Sequence, residues 1–248
     1  MAYIGKIPAA APLTSSDVAD GIITNAKLAQ DIISADTALA SEPADTDEFL
    51  VSDAGDLKRM DYSYIKASPS MVLLATNTIT SGTPATTSFD GYFSSTYKNY
   101  VVYFNHLIPA TNAVQPWIRV RQSDSDVTTA GAYGFANTGI YREDGSGDGV
   151  FSGGGNDSAG ELCYNRNGSN VAVDGGFSGI LEIFDPLNAT THKLISGKLN
   201  FVGDNQTIFQ TTDTIVRFEG NTTALSGITL YFSSGNITTG VLKLYGIK

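Results

Sequence analysis

An all-β architecture is expected for this chain: an antiparallel, jelly-roll-like β-sandwich over 67–248, preceded by an extended, partly helical arm over 1–66 that contains a β-hairpin. Three observations carry that expectation. From residue 71 onward, segments with strand-like alternation recur at short intervals with turn residues between them. The 248 residues include 26 glycines and abundant Thr, Ser and Asn, a composition suited to short strands and frequent turns. From Ile4 to Glu48 there is no aromatic residue, so the first segment cannot build a core of its own.

The arm comes first. It carries 11 acidic and 5 basic residues, net -6 of the chain's -10. Val18-Ala19-Asp20-Gly21-Ile22-Ile23-Thr24 is echoed ten residues on by Leu28-Ala29-Gln30-Asp31-Ile32-Ile33-Ser34. Each copy offers one small apolar patch, and a unit that cannot bury its patch alone buries it against a neighbour or another chain. Thr24 and Asn25 are placed to cap one or two helical turns beginning at Ala26. Glu48 to Met60 reads as a hairpin about Asp53-Ala54-Gly55, and a lone two-stranded hairpin is marginal in water. Ile22, Ile23, Leu28, Ile32, Ile33 and Phe49 are therefore the candidate docking positions. Pro69 favours extended geometry before it, and the boundary is placed near Ala67.

In the second segment, strands are expected at 71–79, 98–107, 115–123, 131–142, 160–165, 177–184, 192–202, 206–210, 213–219, 226–233 and 239–247. Alternation is clearest around Leu181 and Ile183, which should face away from Glu182. Asp144-Gly145, Asp148-Gly149 and Asp174-Gly175 are turn signals, because glycine accepts a positive φ at little cost.

Chemistry is mostly excluded. A net charge of -10 and pI ≈ 4.5 repel phosphate backbones and anionic lipid, so nucleic acid is not an expected partner. No N-terminal apolar core with a small-residue cleavage site is present and no apolar run approaches ~18 residues, which predicts a soluble chain without membrane insertion. Cys163 is the only cysteine, and with only His106 and His192 beside it no disulfide or Cys/His zinc cluster can be assembled. Asp144 to Gly149 matches the start of a calcium loop, but the position that needs a bidentate Glu is Gly155. Ser152 to Asp157 reads as a flexible glycine-rich loop that joins no strand to a helix, so it is not a phosphate loop. Ser63-Tyr64-Ile65-Lys66 fits a Ser-x-x-Lys pattern without its partner motifs, and neither His has a nucleophile elbow near it in sequence. Glu161, Glu182 and Asp185 are open to a glycosidase-like pairing in space, although solvated strand faces explain them more cheaply. No catalytic residue, metal or cofactor is assigned. Trp117, Arg119 and Arg121 alternate along one strand and should share a face, an aromatic-plus-Arg composition found at interfaces and sugar-stacking surfaces.

Ile22-Ile23-Thr24-Asn25-Ala26-Lys27-Leu28-Ala29, Asp45 to Asp53 and Leu57-Lys58-Arg59 resemble segments recurrent in the virion appendage proteins of tailed bacteriophages, especially small fibre-like proteins of short-tailed phages. Trp117 to Arg121, Ala132-Tyr133, Gly235 to Gly240 and Leu244-Tyr245-Gly246-Ile247 are similar to their fibre-tip β domains. The resemblance implies a non-catalytic virion component made in the bacterial cytoplasm, often a homotrimer. Its N-terminus would dock to other phage virion proteins and its β domain would face a host-surface glycan or protein. A capsid-surface or neck decoration protein and a carbohydrate-binding module are the alternatives.

Overall fold

The computed structural model describes residues 18–19, 22, 37–66, 69–143, 146–163 and 166–248. Most of the arm's repeat, the turns expected after Thr24 and Asn25, and the Asp144-Gly145 turn lie outside these residues. The chain divides into two units, Met1–Ser68 and Pro69–Lys248.

In the first unit β1 (Glu48–Asp53) pairs with β2 (Asp56–Asp61), followed by the single turn α1 (Tyr62–Ile65). The hairpin closes through Ala54 and Gly55 at φ 52° and 98°, the doubly positive turn that matches the twist of paired strands. Ion pairs line it: Lys58 to Asp53 at 2.5 Å and Arg59 to Glu48 at 3.1 Å. Both are exposed and contribute little to stability. None of the unit's residues whose burial is described is buried.

The second unit contains β3 (Met71–Ile79), β4 (Thr86–Asp90), β5 (Asn99–Pro109), β6 (Pro116–Gln122), β7 (Ser125–Asp126), β8 (Tyr133–Glu143), β9 (Ser146–Asp157), β10 (Gly160–Glu161), β11 (Phe177–Phe184), β12 (Lys193–Val202), β13 (Phe209–Phe218), β14 (Gly227–Phe232) and β15 (Ile237–Ile247). Eight of these form one sheet in the order β3-β15-β5-β11-β12-β13-β8-β9. The other five form a second sheet, β10-β6-β14-β4 with β7 on β6. Every pairing is antiparallel. The domain is thus the antiparallel, sandwich-like β structure that the alternation implied. The order alone does not establish jelly-roll connectivity, whose regular form has two sheets of four strands.

One core fills the space between the sheets, drawing Val102, Phe104, Leu181, Leu199, Val216 and Leu242 from the larger sheet and Ile118, Val120, Ile228 and Leu230 from the smaller. Phe177 stacks between Phe201 at 4.7 Å and Phe232 at 5.6 Å, tying the two layers together. Tyr133 makes a polar tie as well: its hydroxyl donates to the Val127 carbonyl at 2.9 Å and accepts from the Val120 amide at 3.0 Å.

Several expected elements are corrected. Ser152 to Asp157, read as a flexible loop, belongs to β9, which pairs along its length with β8. Its glycines serve packing, since a Cβ on Gly154 would sit 2.6 Å from the Phe135 ring. The strand expected at 160–165 shrinks to β10, because Leu162 and Cys163 turn into the core. The segments 206–210 and 213–219 form the single strand β13 from Phe209, and β4 was not anticipated because Thr86-Thr87-Ser88 offers little apolar signal.

Lys193 begins β12 at 1% exposure, on the inward side of the strand. Its ammonium donates to the carbonyls of Asn188, Thr191 and Thr222 at 2.6, 2.8 and 2.9 Å, which uses all three donors. The loops 185–192 and 219–226 are therefore closed by one side chain. Lys193→Ala should lower the free energy of unfolding by about 3 kcal/mol, the scale for charge-assisted bonds lost inside a protein, read as a shifted urea midpoint. An unchanged midpoint would show that the cage does not hold the two loops.

Candidate functional site

The outer face of the five-stranded sheet brings Trp117, Arg119 and Arg121 together. Along β6 they are half-buried while Ile118 and Val120 between them are wholly buried, as alternation requires. The register sets rows across the sheet: Glu161, Trp117, Tyr231 and Thr86 in one, and Arg119 beside Thr229 in the next. The face has an aromatic end and an ionic end.

At the aromatic end Trp117 meets Tyr231 edge to face, ring centroids 5.9 Å apart at 84°. The Arg119 guanidinium lies 4.6 Å over the Tyr231 ring and its Nε donates to the Ser158 carbonyl at 3.1 Å. The Trp117 indole Nε1 and the Tyr231 hydroxyl are both buried without a hydrogen-bond partner. Burial pushes the Tyr231 hydroxyl up to about 12. Glu161, next in the row, is raised above the usual carboxylate value by burial and by Asp157.

At the ionic end Arg121 is held on every side. Its guanidinium meets Asp90 at 3.1 Å, Asp126 at 2.6 Å and the Thr229 hydroxyl at 3.2 Å, and it donates to the Asp124 carbonyl. Thr229 donates to Asp126 at 2.6 Å and Ser226 to Asp90 at 2.8 Å. The β6 to β7 turn uses Ser123 and Asp124 at φ 49° and 63°, a left-handed pair without glycine. Arg121 braces that turn through the Asp124 carbonyl. It is thereby occupied in structure, whereas Trp117 and Tyr231 each keep a polar atom without a hydrogen-bond partner.

The other sequence-level candidates separate. Glu161 and Glu182 stand on opposite outer faces of the sandwich, and Asp185 is paired to Lys98 at 2.5 Å, so the three do not converge on one cleft. Lys98 holds Asp185 below the usual carboxylate range, against a smaller opposing effect of burial. Lys66 is drawn to Glu42 at 3.0 Å and Asp45 at 3.4 Å, contacts that raise its pKa, whereas a catalytic Ser-x-x-Lys needs the lysine neutral. His192 accepts from Arg217 at 2.8 Å through Nδ1. The Cys163 thiol is buried and pushed up by burial. Ser146 to Gly149 lie in β9, so the calcium-like segment is strand there. Among the described residues no group of three or more His, Cys, Asp or Glu side chains could hold a metal ion. No helix among them is long and apolar enough to cross a membrane.

In the arm, Ile22 and Phe49 are exposed at 42% and 41%. Ile23, Leu28, Ile32 and Ile33 lie outside the described residues. Sequence reasoning missed Tyr231, Asp90 and Asp126, which complete the face. Strong alternation marked β14 as a strand, but nothing local assigned it to β6, more than a hundred residues away.

Compared with known proteins, the chain matches no family model, no curated protein and no solved structure.

Asp90 offers a test of the ionic end. Burial pushes its carboxyl up, but hydrogen bonds from Ser226 and Arg121 outweigh that and hold it below 3.8. The folded state therefore binds this proton more weakly than the unfolded chain. Its stabilisation is present above pH ~4 and drains as pH falls through the folded value. Asp90→Asn should cost about 1 kcal/mol at pH 7 and flatten the loss of thermal stability as pH falls below ~4. Parallel acid-denaturation curves for the two proteins would refute the ion-pair assignment.

Proposed function

We propose that this chain is a non-enzymatic structural protein of a bacteriophage particle, a tail-fibre-like appendage. Its arm docks to other virion proteins and to sister chains of a homotrimer, and its β domain is presented to the host surface. The observation that carries this reading is the first unit's lack of any buried residue among those whose burial is described, alongside exposed Phe49, Leu50, Tyr64 and Ile65, the last three at 75%, 80% and 50%. Such a segment gains stability by covering apolar surface on a partner. The partly helical arm and the jelly-roll-like connectivity belong to this proposal. The second is supported by passage of the chain between sheets at β3, β4, β5, β6 and β8 in turn. Deleting residues 1–48 should leave a soluble β domain that no longer joins particles, read by quantifying the protein in purified virions. Full incorporation of the truncated protein would defeat the docking role.

A carbohydrate-binding role for the domain is favoured by one specific observation, the half-buried Trp117 set edge to face with Tyr231 on the outer face of the smaller sheet. Indole surface of this kind suits the C–H faces of sugar rings. A glycan array should then show saturable binding that falls at least about tenfold in Trp117→Ala, the loss of one well-packed aromatic contact. Binding that survives the substitution would remove this face from consideration.

A further inference from the structure

The two outer faces of the sandwich differ in what covers them. On the five-stranded sheet the large side chains are engaged with one another. On the eight-stranded sheet they are bare: Leu73 is 50% exposed, Tyr103 38%, Leu194 47%, Ile215 53% and Ile140 64%. Of the exposed large hydrophobics described in this unit, only Tyr92 and Val173 lie off this face. A single protein rarely leaves so continuous an apolar surface to water.

The face has relief. Toward β3, β15 and β5 stands a raised aromatic bank, where Tyr245 lies beside Leu73 in register and meets Tyr103 edge to face at 5.7 Å. Lys243 rides on the same bank, opposite Tyr103. Toward β11, β12, β13 and β8 the small residues Ala136, Ser196 and Gly197 leave a hollow of about 850 Å³, walled by Ile180 and Ile215. Glu182, Lys198 and Asp213 line it too, and Lys198 is 3.6 Å from Asp213, which leaves Glu182 as the unmatched charge.

We propose that this face is a self-association surface on which the bank of one copy seats in the hollow of the next. The inference rests on the self-assembly part of the proposed function and gives it an address. Three features select a second copy as the occupant. The first is charge: the chain carries -10 overall, so copies repel, but on this face Lys198, Arg217 and Lys243 balance Glu182, Asp213 and Glu219. The second is complementarity, since the bank brings an apolar aromatic cluster with a lysine and the hollow offers apolar walls with a carboxylate. The third is area. Eight strands about 4.8 Å apart, each presenting about six residues at about 3.3 Å, span about 800 Å², so each bank-to-hollow contact uses about 400 Å² of each partner and the two contacts made by every copy in a closed ring together cover the face. Because bank and hollow are different surfaces, the contact is head-to-tail, and a rotation of one third of a turn between copies closes it as the ring of three proposed above.

The test uses the full chain and native mass spectrometry. The wild-type protein should appear at three chain masses. Tyr245→Asp on the bank and Ile215→Asp in the hollow should each appear at one chain mass while melting near the wild-type temperature. Mixed in equal amounts, the two variants should pair, because the first retains its hollow and the second its bank. Should either variant fail to fold, the half-buried charges Lys243 and Glu182 replace it. Lys243→Glu and Glu182→Lys alone should each weaken assembly by about tenfold, and the double exchange should restore it. A wild-type protein at one chain mass at tens of micromolar, or a mixture that never pairs, overturns the proposal. Variants that all remain at three chain masses also overturn it and transfer assembly to the arm, leaving the homotrimer itself standing.

Discussion

The fold of the second unit depends on its last two strands being inserted among its first four. β15 is hydrogen-bonded to β3 on one side and β5 on the other, and β14 lies between β4 and β6. Neither sheet is continuous until residues 227–247 arrive, and those strands also deliver Ile228, Leu230, Leu242 and Leu244 to the core. The loop-closure entropy of joining segments some 150 residues apart is met before the contacts form, which places the domain among slowly folding, non-local β topologies. Local signals along the chain therefore specify strands, while the position of each strand is settled by packing at the end.

The candidate site inherits that constraint. Trp117 acquires its partner Tyr231 only when β14 seats beside β6, and the same pairing brings Thr229 under Arg121. Asp90 joins from β4 across β14, and Asp126 from the short strand after the β6 turn. Two carboxylates, one hydroxyl and one carbonyl contact a single guanidinium, and Ser226 in turn donates to Asp90. Arg121 is consequently a brace. The indole N–H of Trp117 and the phenol O–H of Tyr231 are among the side-chain donors that the fold buries without partners. Leaving such groups unmet costs free energy, so the aromatic end of this face is held less favourably than the ionic end.

The residues announced the strands well where one face is apolar and the other polar. Phe177 to Phe184 was legible because Leu181 and Ile183 are buried about an outward Glu182, and Ala54-Gly55 marked the hairpin through the turn they can adopt. The alternation of Trp117, Arg119 and Arg121 likewise followed from period two alone. Illegible were elements whose stability comes from neighbours. β9 carries little strand propensity of its own and is held by β8, with Gly154 making room for Phe135. Lys193 looked like an ordinary surface lysine at a strand start, since its three carbonyl partners come from two separate loops. The ionic half of the site was hidden for the same reason, and so was the bare outer face, because an outward-facing Ile215 or Leu73 cannot be told from a core residue before the sheet order is known.

The two outer faces make opposite physical bargains with water, and together they constrain how copies of the chain can be used. If the bank and hollow of the eight-stranded sheet meet between copies, that sheet turns inward and the five-stranded sheet is the surface left to solvent. Each copy then contributes one Trp117 and Tyr231 face to the outside of the assembly. Three weak sites carried on one particle bind a repetitive surface far more tightly than any one of them, provided the spacing lets them engage together. Self-association through the larger sheet and recognition through the smaller one are thus compatible in one molecule, whereas using the larger sheet for a ligand would leave its apolar bank without cover in the unliganded protein.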